Sequence, residues 1–333
     1  MTTADLFAGP LFVVGMPRSG TKLLREILLQ HGRIAIPRIE TEFLPELVRY
    51  IDLRGGIIKN RADFERMYRW VSTFPYFRYC AEQGELITSQ RWWDSCKDFA
   101  ATGVFEGLVR HDAEAQLGSD RIWGDKSPSY ITCIGKLAAW FPQGRILHIV
   151  RDVRDHVVSL RDAWGKDILR AAQRWNDDTL AAAAEGAGLE DRFKTVRYED
   201  LVRDPETQVA GICEFLDIDF SRSMLAWSRS PENIGDARGA TSVVRSGLAR
   251  YESRLTKEEL RAIESIAIEA MGFFGYAPVF RVGRSRLSPI GMKLRALKDG
   301  FSLVRARSGS SGWRGATRFY ANYWRATHGR GRR

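Results

Sequence analysis

The 333-residue chain has no uninterrupted apolar run of the about twenty residues that a membrane-crossing helix requires. It also lacks the charged and then apolar leader of a secreted protein, and the two absences together predict a cytoplasmic location. Cysteine is scarce: Cys80, Cys96, Cys133 and Cys213 stand at spacings that suit neither zinc ligation nor a disulfide framework. Buried free thiols are expected, and no metal site. Acidic residues are missing from one region, since residues 281–333 hold fourteen Arg or Lys against Asp299 alone, a net charge of +13 in a chain whose total is +10. The remainder is mildly acidic, so the basicity belongs to an extension and nucleic acid is not expected as a partner of the body. With 44% hydrophobic and 28% charged residues, the chain has the composition of a globular protein. The expected organisation is one large domain over 1–280 and a basic extension over 281–333.

What is present is concentrated first at Leu11–Leu24. A β-branched, apolar strand at Leu11–Val14 leads into Gly15-Met-Pro-Arg18-Ser19-Gly20-Thr21-Lys22, after which Leu23, Leu24, Ile27 and Leu28 recur at helical spacing. Strand, glycine turn and helix in this order place unpaired amides and partial positive charge at a helix start, which suits a phosphate or sulfate group. Arg18, Ser19, Thr21 and Lys22 add charged or hydroxyl donors to the same cup. The spacing is close to Gly-x-x-x-x-Gly-Lys-Ser/Thr, but Thr21 and Lys22 stand in reverse order, which disturbs both the phosphate-reaching lysine and the magnesium-holding hydroxyl of that pattern. A plain glycine turn between two core elements is the alternative.

Further strands are predicted at Ile34–Pro37, Arg121–Gly124, Arg145–Val150 and Arg192–Tyr198, with helical patterns between them. Residues 40–118 read as a mostly helical insertion after the second strand. Its aromatics (Trp70, Phe74, Tyr76, Phe77, Tyr79, Trp92, Trp93) suit an internal helical layer better than a cleft lining. The expected fold class is α/β, a P-loop-like central parallel sheet with helices on both faces. Ligands of such sheets sit at the carboxyl ends of the strands. That rule brings the residues after Val14, Gly124 and Val150 into consideration together.

The strand ending at Val150 runs into Arg151-Asp-Val-Arg154-Asp155-His156-Val-Val-Ser159. A helix starting near Asp152 carries Ser159 two turns on, so that Arg151 and Ser159 supply a charged fork and a hydroxyl for a second phosphate. Alternatively, Arg-Asp-x-Arg-Asp pairs with itself on a surface helix.

Taken together, the two motifs resemble the sulfotransferases that use 3′-phosphoadenylyl sulfate (PAPS). The resemblance extends in order over about residues 11–278, through Gly124-Asp-Lys126-Ser-Pro-Ser-Tyr130, Val196-Arg-Tyr198-Glu-Asp-Leu-Val202 and Ser242-Val-Val-Arg245-Ser-Gly247-Leu-Ala-Arg250. It implies that Arg18, Ser19, Gly20, Thr21 and Lys22 hold the 5′-phosphosulfate and that Arg151 and Ser159 hold the 3′-phosphate. Tyr198, and more weakly Arg245 and Gly247, would contact the nucleotide. Ile39-Glu40-Thr-Glu42-Phe-Leu-Pro45 is most similar to the tyrosylprotein and Golgi carbohydrate branches, which implies Glu40 as base, with Glu42 behind it. No histidine sits in a motif resembling that of the small-molecule branch. Arg18 and Lys126 would stabilise the charge that develops during transfer. Lys126 paired with Asp125 or another carboxylate, and Glu40 as a helix-start carboxylate, are the plainer readings.

The implied reaction uses PAPS as co-substrate, releases PAP, needs no metal and modifies an acceptor hydroxyl on a carbohydrate, lipid, tyrosine or small metabolite. The competing functions are a nucleotide-dependent phosphotransferase built on the first loop, and a non-catalytic nucleotide- or membrane-binding protein. In the extension, Ile290, Leu294, Leu297, Phe301 and Val304 form an apolar stripe among basic residues. It suits peripheral contact with an inner membrane surface, or packing on its own domain or a second subunit.

Overall fold

A computed structural model describes residues 6–115, 120–227, 241–243 and 248–300. Arg245 and Gly247, and the extension beyond residue 300 with Phe301, Val304 and the terminal aromatics, lie outside the described residues. Five strands, β1 (Leu11–Gly15), β2 (Ile34–Ala35), β3 (Ile122–Lys126), β4 (Arg145–Val150) and β5 (Phe193–Arg197), form one sheet in the order β2-β3-β1-β4-β5. Every neighbouring pair is parallel. The central β1 is buried along its whole length, which is why its sequence is continuously apolar instead of alternating. In β4 the burial includes His148, whose imidazole is pushed down to about 4 by that burial and so stays neutral.

β4 has the limits its sequence predicts, while β3 runs past them. The ladder continues beyond Gly124 through Asp125 and Lys126, with Val13 of β1 opposite Lys126. Two consecutive charges argue against a buried strand end, yet Asp125 and Lys126 are both buried because partners from another segment meet them there. Gly124 itself is required by close packing, since a Cβ would lie 2.2 Å from the Leu11 carbonyl oxygen.

From β1 the chain runs through α1 (Thr21–Leu29) towards β2, on one side, and from β4 it proceeds towards β5, on the other. The direction of winding therefore reverses between β1 and β4, the position at which such sheets receive ligands. After β2 comes the helical insertion, α2 (Leu44–Asp52), α3 (Arg61–Val71), α4 (Pro75–Gln83), α5 (Ser89–Ser95) and α6 (Ala101–Asp112), with α7 (Ile134–Trp140) following β3. Its aromatics pack on one another, Phe77 stacking on Trp92 with ring centroids 5.5 Å apart and both buried. Tyr79 is the exception, half-exposed at 49%. The remaining helices are α8 (Val153–Trp164), α9 (Ile168–Gly186), α10 (Tyr198–Arg203), α11 (Pro205–Phe215), α12 (Tyr251–Arg254) and α13 (Lys257–Phe273). Thr256 and Glu259 close a reciprocal capping box at the start of α13.

The chain forms two compact units. One holds the whole sheet with α1–α7, α10 and α11. The other holds α8, most of α9, α12, α13 and residues 281–300, the last of these helical from 289.

Candidate active site

The corner between β1 and α1 is shaped by backbone. Gly15 has no room for a side chain, because a Cβ would stand 2.5 Å from the Ile149 carbonyl oxygen of β4. Arg18 takes a left-handed conformation with φ 72°, a strained geometry that a site can hold only when its surroundings fix it. Ser19 supplies part of that fixing, since its buried hydroxyl donates to the Met16 carbonyl at 2.6 Å and to the Ile149 carbonyl at 3.3 Å. Its backbone amide also donates to Met16, so Ser19 braces the loop from within. Gly20 caps α1 with φ 103° and no side-chain hydrogen bond. A Cβ at that position would lie 2.5 Å from the ring of Tyr198, so glycine is demanded both by the backbone and by its neighbour. The first turn of α1 contains no acid, and its leading amides precede the first intrahelical bond, Leu24 to Gly20. The positive end of the helix is thus left uncompensated by the chain. Thr21 is buried and Lys22 half-buried at the same turn.

Next to β1, the end of β3 meets the segment after β2. The Lys126 ammonium donates to Glu40 Oε1 in an ion pair that leaves the lysine buried and Glu40 partly open. Burial pushes the Lys126 pKa below its ordinary value, Glu40 opposes that shift and Arg25 reinforces it. The plain reading of Lys126, pairing with a carboxylate, is the one the geometry shows, and the partner is Glu40. Thr41 locks the pair in place by donating to Asp125 Oδ2 at 3.0 Å and sharing a 2.9 Å bond with the Tyr130 hydroxyl. Tyr130 also accepts from the Leu44 amide at 3.0 Å, and Ser127 Oγ accepts from the Glu42 amide at 3.2 Å. Asp125, wholly buried, is raised to about 6 by burial against the opposing hydrogen bonds of Ser127 and Thr41.

Glu42 is the second carboxylate here. Its backbone is left-handed with φ 53°, and its side chain is open to solvent yet ringed by protein. That surrounding, aided by Glu40, pushes its pKa up to about 7. Sequence reading missed Arg25, buried one turn into α1 with donors on the Arg38 carbonyl and on Glu26. The available signal was an arginine inside the apolar run Leu24, Ile27 and Leu28.

In the other unit, Arg151 directly follows β4 and is buried, as is Ser159 two turns into α8. Asp152 caps α8 by accepting from the Arg154 amide at 2.9 Å. The self-pairing alternative holds for Arg154, which binds Asp152 through two nitrogens and Glu264 at 3.0 Å. The Arg151 carbonyl is held by the indole of buried Trp175 at 3.0 Å. Asp155 accepts the amides of Ala249 at 2.8 Å and Tyr251 at 3.0 Å, anchoring the chain that follows Arg245 and Gly247. Trp175 and Asp155 are the supports that sequence reading did not single out. Among the described residues no cluster of three or more His, Cys, Asp or Glu stands where it could hold a metal ion, and all four cysteines are free.

Residues 10–222, well over half of the chain, match the sulfotransferase family. The chain belongs to that family. Protein-tyrosine sulfotransferase A of Caenorhabditis elegans is 27% identical to it over 225 residues, 65% of this chain and 51% of that one. Protein-tyrosine sulfotransferase 1 of Danio rerio is 25% identical over 240 residues, 69% of this chain and 58% of that one. The chain spans about half the length of these curated relatives. Among solved structures, the sulfotransferase domain of the Synechococcus PCC 7002 olefin synthase aligns with a TM-score of 0.52 at 20% identity, over 83% of this chain and 98% of that one. The corresponding domain of the curacin biosynthetic pathway gives 0.52 at 19%, over 82% and 99%. These two likenesses show the fold, the P-loop-like α/β architecture of sulfotransferases.

Proposed function

We propose that this sulfotransferase moves a sulfuryl group from PAPS to an acceptor hydroxyl in the cytoplasm. The observation that carries the reading is the bare amino end of α1 beside the Lys126–Glu40 pair, one strand away in the sheet. The α1 amides, Arg18, Thr21 and Lys22 take the 5′-phosphosulfate, with Ser19 and Gly20 giving the loop its shape. Arg151 and Ser159 take the 3′-phosphate. Tyr198, Arg245 and Gly247 complete the nucleotide's surroundings.

In the transfer step the acceptor oxygen forms a bond to sulfur as the bond from sulfur to the bridging oxygen breaks. The acceptor proton passes to Glu40 and PAP departs. Negative charge grows on the bridging and sulfuryl oxygens, where Arg18 and Lys126 oppose it. Glu40 must come within about 3 Å of the acceptor hydroxyl to act as base, so the acceptor competes with Lys126 for the same carboxylate. As the proton arrives on Glu40, Lys126 is freed towards the departing charge.

Incubation of the purified protein with radiolabelled PAPS and a lysate separated into lipid, glycan, peptide and metabolite pools is expected to label one pool, with PAP formed in equal amount. Failure of every pool to gain label, together with no calorimetric binding of PAP, would overturn the proposal.

A further inference from the structure

Within the second unit, residues 281–300 are held along one side by a row of polar ties. Ser285 donates to the Ser265 carbonyl at 2.9 Å, Leu287 to Gln173 at 3.1 Å, and Arg286 pairs with Asp177 at 2.9 Å. Within the helix over residues 289–300, Arg295 pairs with Asp167 at 2.6 Å. Asp299, the one acid of the basic extension, receives the Asp167 amide and the Arg170 guanidinium, each at 2.7 Å. The face opposite Asp299 is apolar and open: Ile290 is 72%, Leu294 63% and Leu297 56% exposed. At about 100° per residue these three fall within an arc of about 60°, with Lys293 close on one flank and Lys298 on the other. Both lysines are exposed.

We infer that this face lies on an anionic lipid surface. The helix turns its only acid inward, so the charge it shows outward is positive, and residues 281–333 as a whole carry a net +13, complementary to acidic headgroups. Apolar side chains enter the boundary between headgroups and acyl chains, while the flanking lysines reach the phosphates with their stems alongside. A second copy of the chain is a poorer occupant. Three such side chains offer on the order of 300 Å², against about 800 Å² per partner in a stable interface, and a two-fold pairing would bring like-charged lysines together. Among the described residues no helix is long and apolar enough to cross a membrane, so the contact is peripheral. The inference is independent of sulfuryl transfer.

The test is co-sedimentation of the full-length protein with vesicles of phosphatidylcholine alone or with a quarter of phosphatidylglycerol. Partition is expected to favour the anionic vesicles at least about tenfold and to fall as salt is raised. Leu294→Asp with Leu297→Asp is expected to weaken it about a hundredfold, and Lys293→Gln with Lys298→Gln about thirtyfold. Thermal melting and PAP binding should be unchanged in both pairs. Equal partition into neutral and anionic vesicles would overturn the inference, as would undiminished binding by the aspartate pair. An oligomer, detected by sedimentation velocity, that the aspartate pair dissociates without altering vesicle binding would assign the face to another copy instead.

Discussion

Two strand-to-helix corners enter the proposed function, and they are built on opposite principles. At β1–α1 the cap is Gly20, left-handed and without a side-chain bond, and the first turn has no acid. At β4–α8 the cap is Asp152, whose carboxylate already accepts the Arg154 amide, and Asp155 stands in the first turn. The first corner leaves its helix end without a carboxylate of its own. The second fills its own helix end with carboxylates, so an anion there must be held by side chains such as Arg151 and Ser159. In the proposed function a phosphate group is thus held by backbone in one case and by guanidinium and hydroxyl in the other, and the two should fail differently.

The largest effect is expected beside the first corner. Lys126→Ala should lower kcat about a hundredfold to a thousandfold, as loss of a preorganised donor commonly does, with PAP affinity little changed. Steady-state rates and calorimetry on the same preparation check both halves. At the second corner, Arg151→Ala should weaken PAP binding by about 2 to 3 kcal/mol, the value of a hydrogen bond to a charged group. Binding of 5′-AMP, which lacks the 3′-phosphate, should barely move, and Glu40→Gln should leave PAP affinity near that of the parent protein. Equal losses for Arg151→Ala and Glu40→Gln in titration would dissolve the division between donor grip and acceptor chemistry.

A smaller contrast separates the caps themselves. Gly20→Ala should cost about 1 to 2 kcal/mol for the left-handed backbone, plus the clash with Tyr198, and should reduce PAP affinity as well as melting temperature. Asp152→Asn keeps an acceptor at the cap and should leave PAP affinity intact. The smallest effect concerns Glu42, whose carboxyl in the folded protein has its pKa raised to about 7 from 4.5. A raised acid binds its proton more tightly folded than unfolded. Its destabilising contribution is therefore absent below about pH 4.5, grows between the two values and is complete above about pH 7. Glu42→Gln should accordingly stabilise the fold more at pH 8 than at pH 4, by less than about 1 kcal/mol because solvent reaches the side chain, which thermal melting at the two pH values checks.

Much of this frame is legible in the sequence where one physical cause acts alone. β4 is apolar apart from Arg145 at its start and His148 within it, and its ends are readable to the residue. The glycine turn after β1 is readable because its residue types have few other uses. β3 is harder, since Asp125 and Lys126 are strand residues only because Thr41 and Glu40, from a distant part of the chain, join the adjacent Ser127 in offsetting their desolvation. The same applies to Arg25 and Trp175, whose partners are set by packing. The ion pair between Glu40 and Lys126 joins residues 86 positions apart, and no local pattern announces it. Residues 281–300 share a compact unit with α8, most of α9 and α13, and their ion pairs to Asp177 and Asp167 are of a kind that composition cannot show.

The fit of Gly20 against the Tyr198 ring ties two positions of the chain into one decision. A methyl group at the first meets the aromatic at the second, so a change at position 20 should be tolerated better together with a smaller residue at 198, which would relieve the clash and leave only the cost of the left-handed backbone.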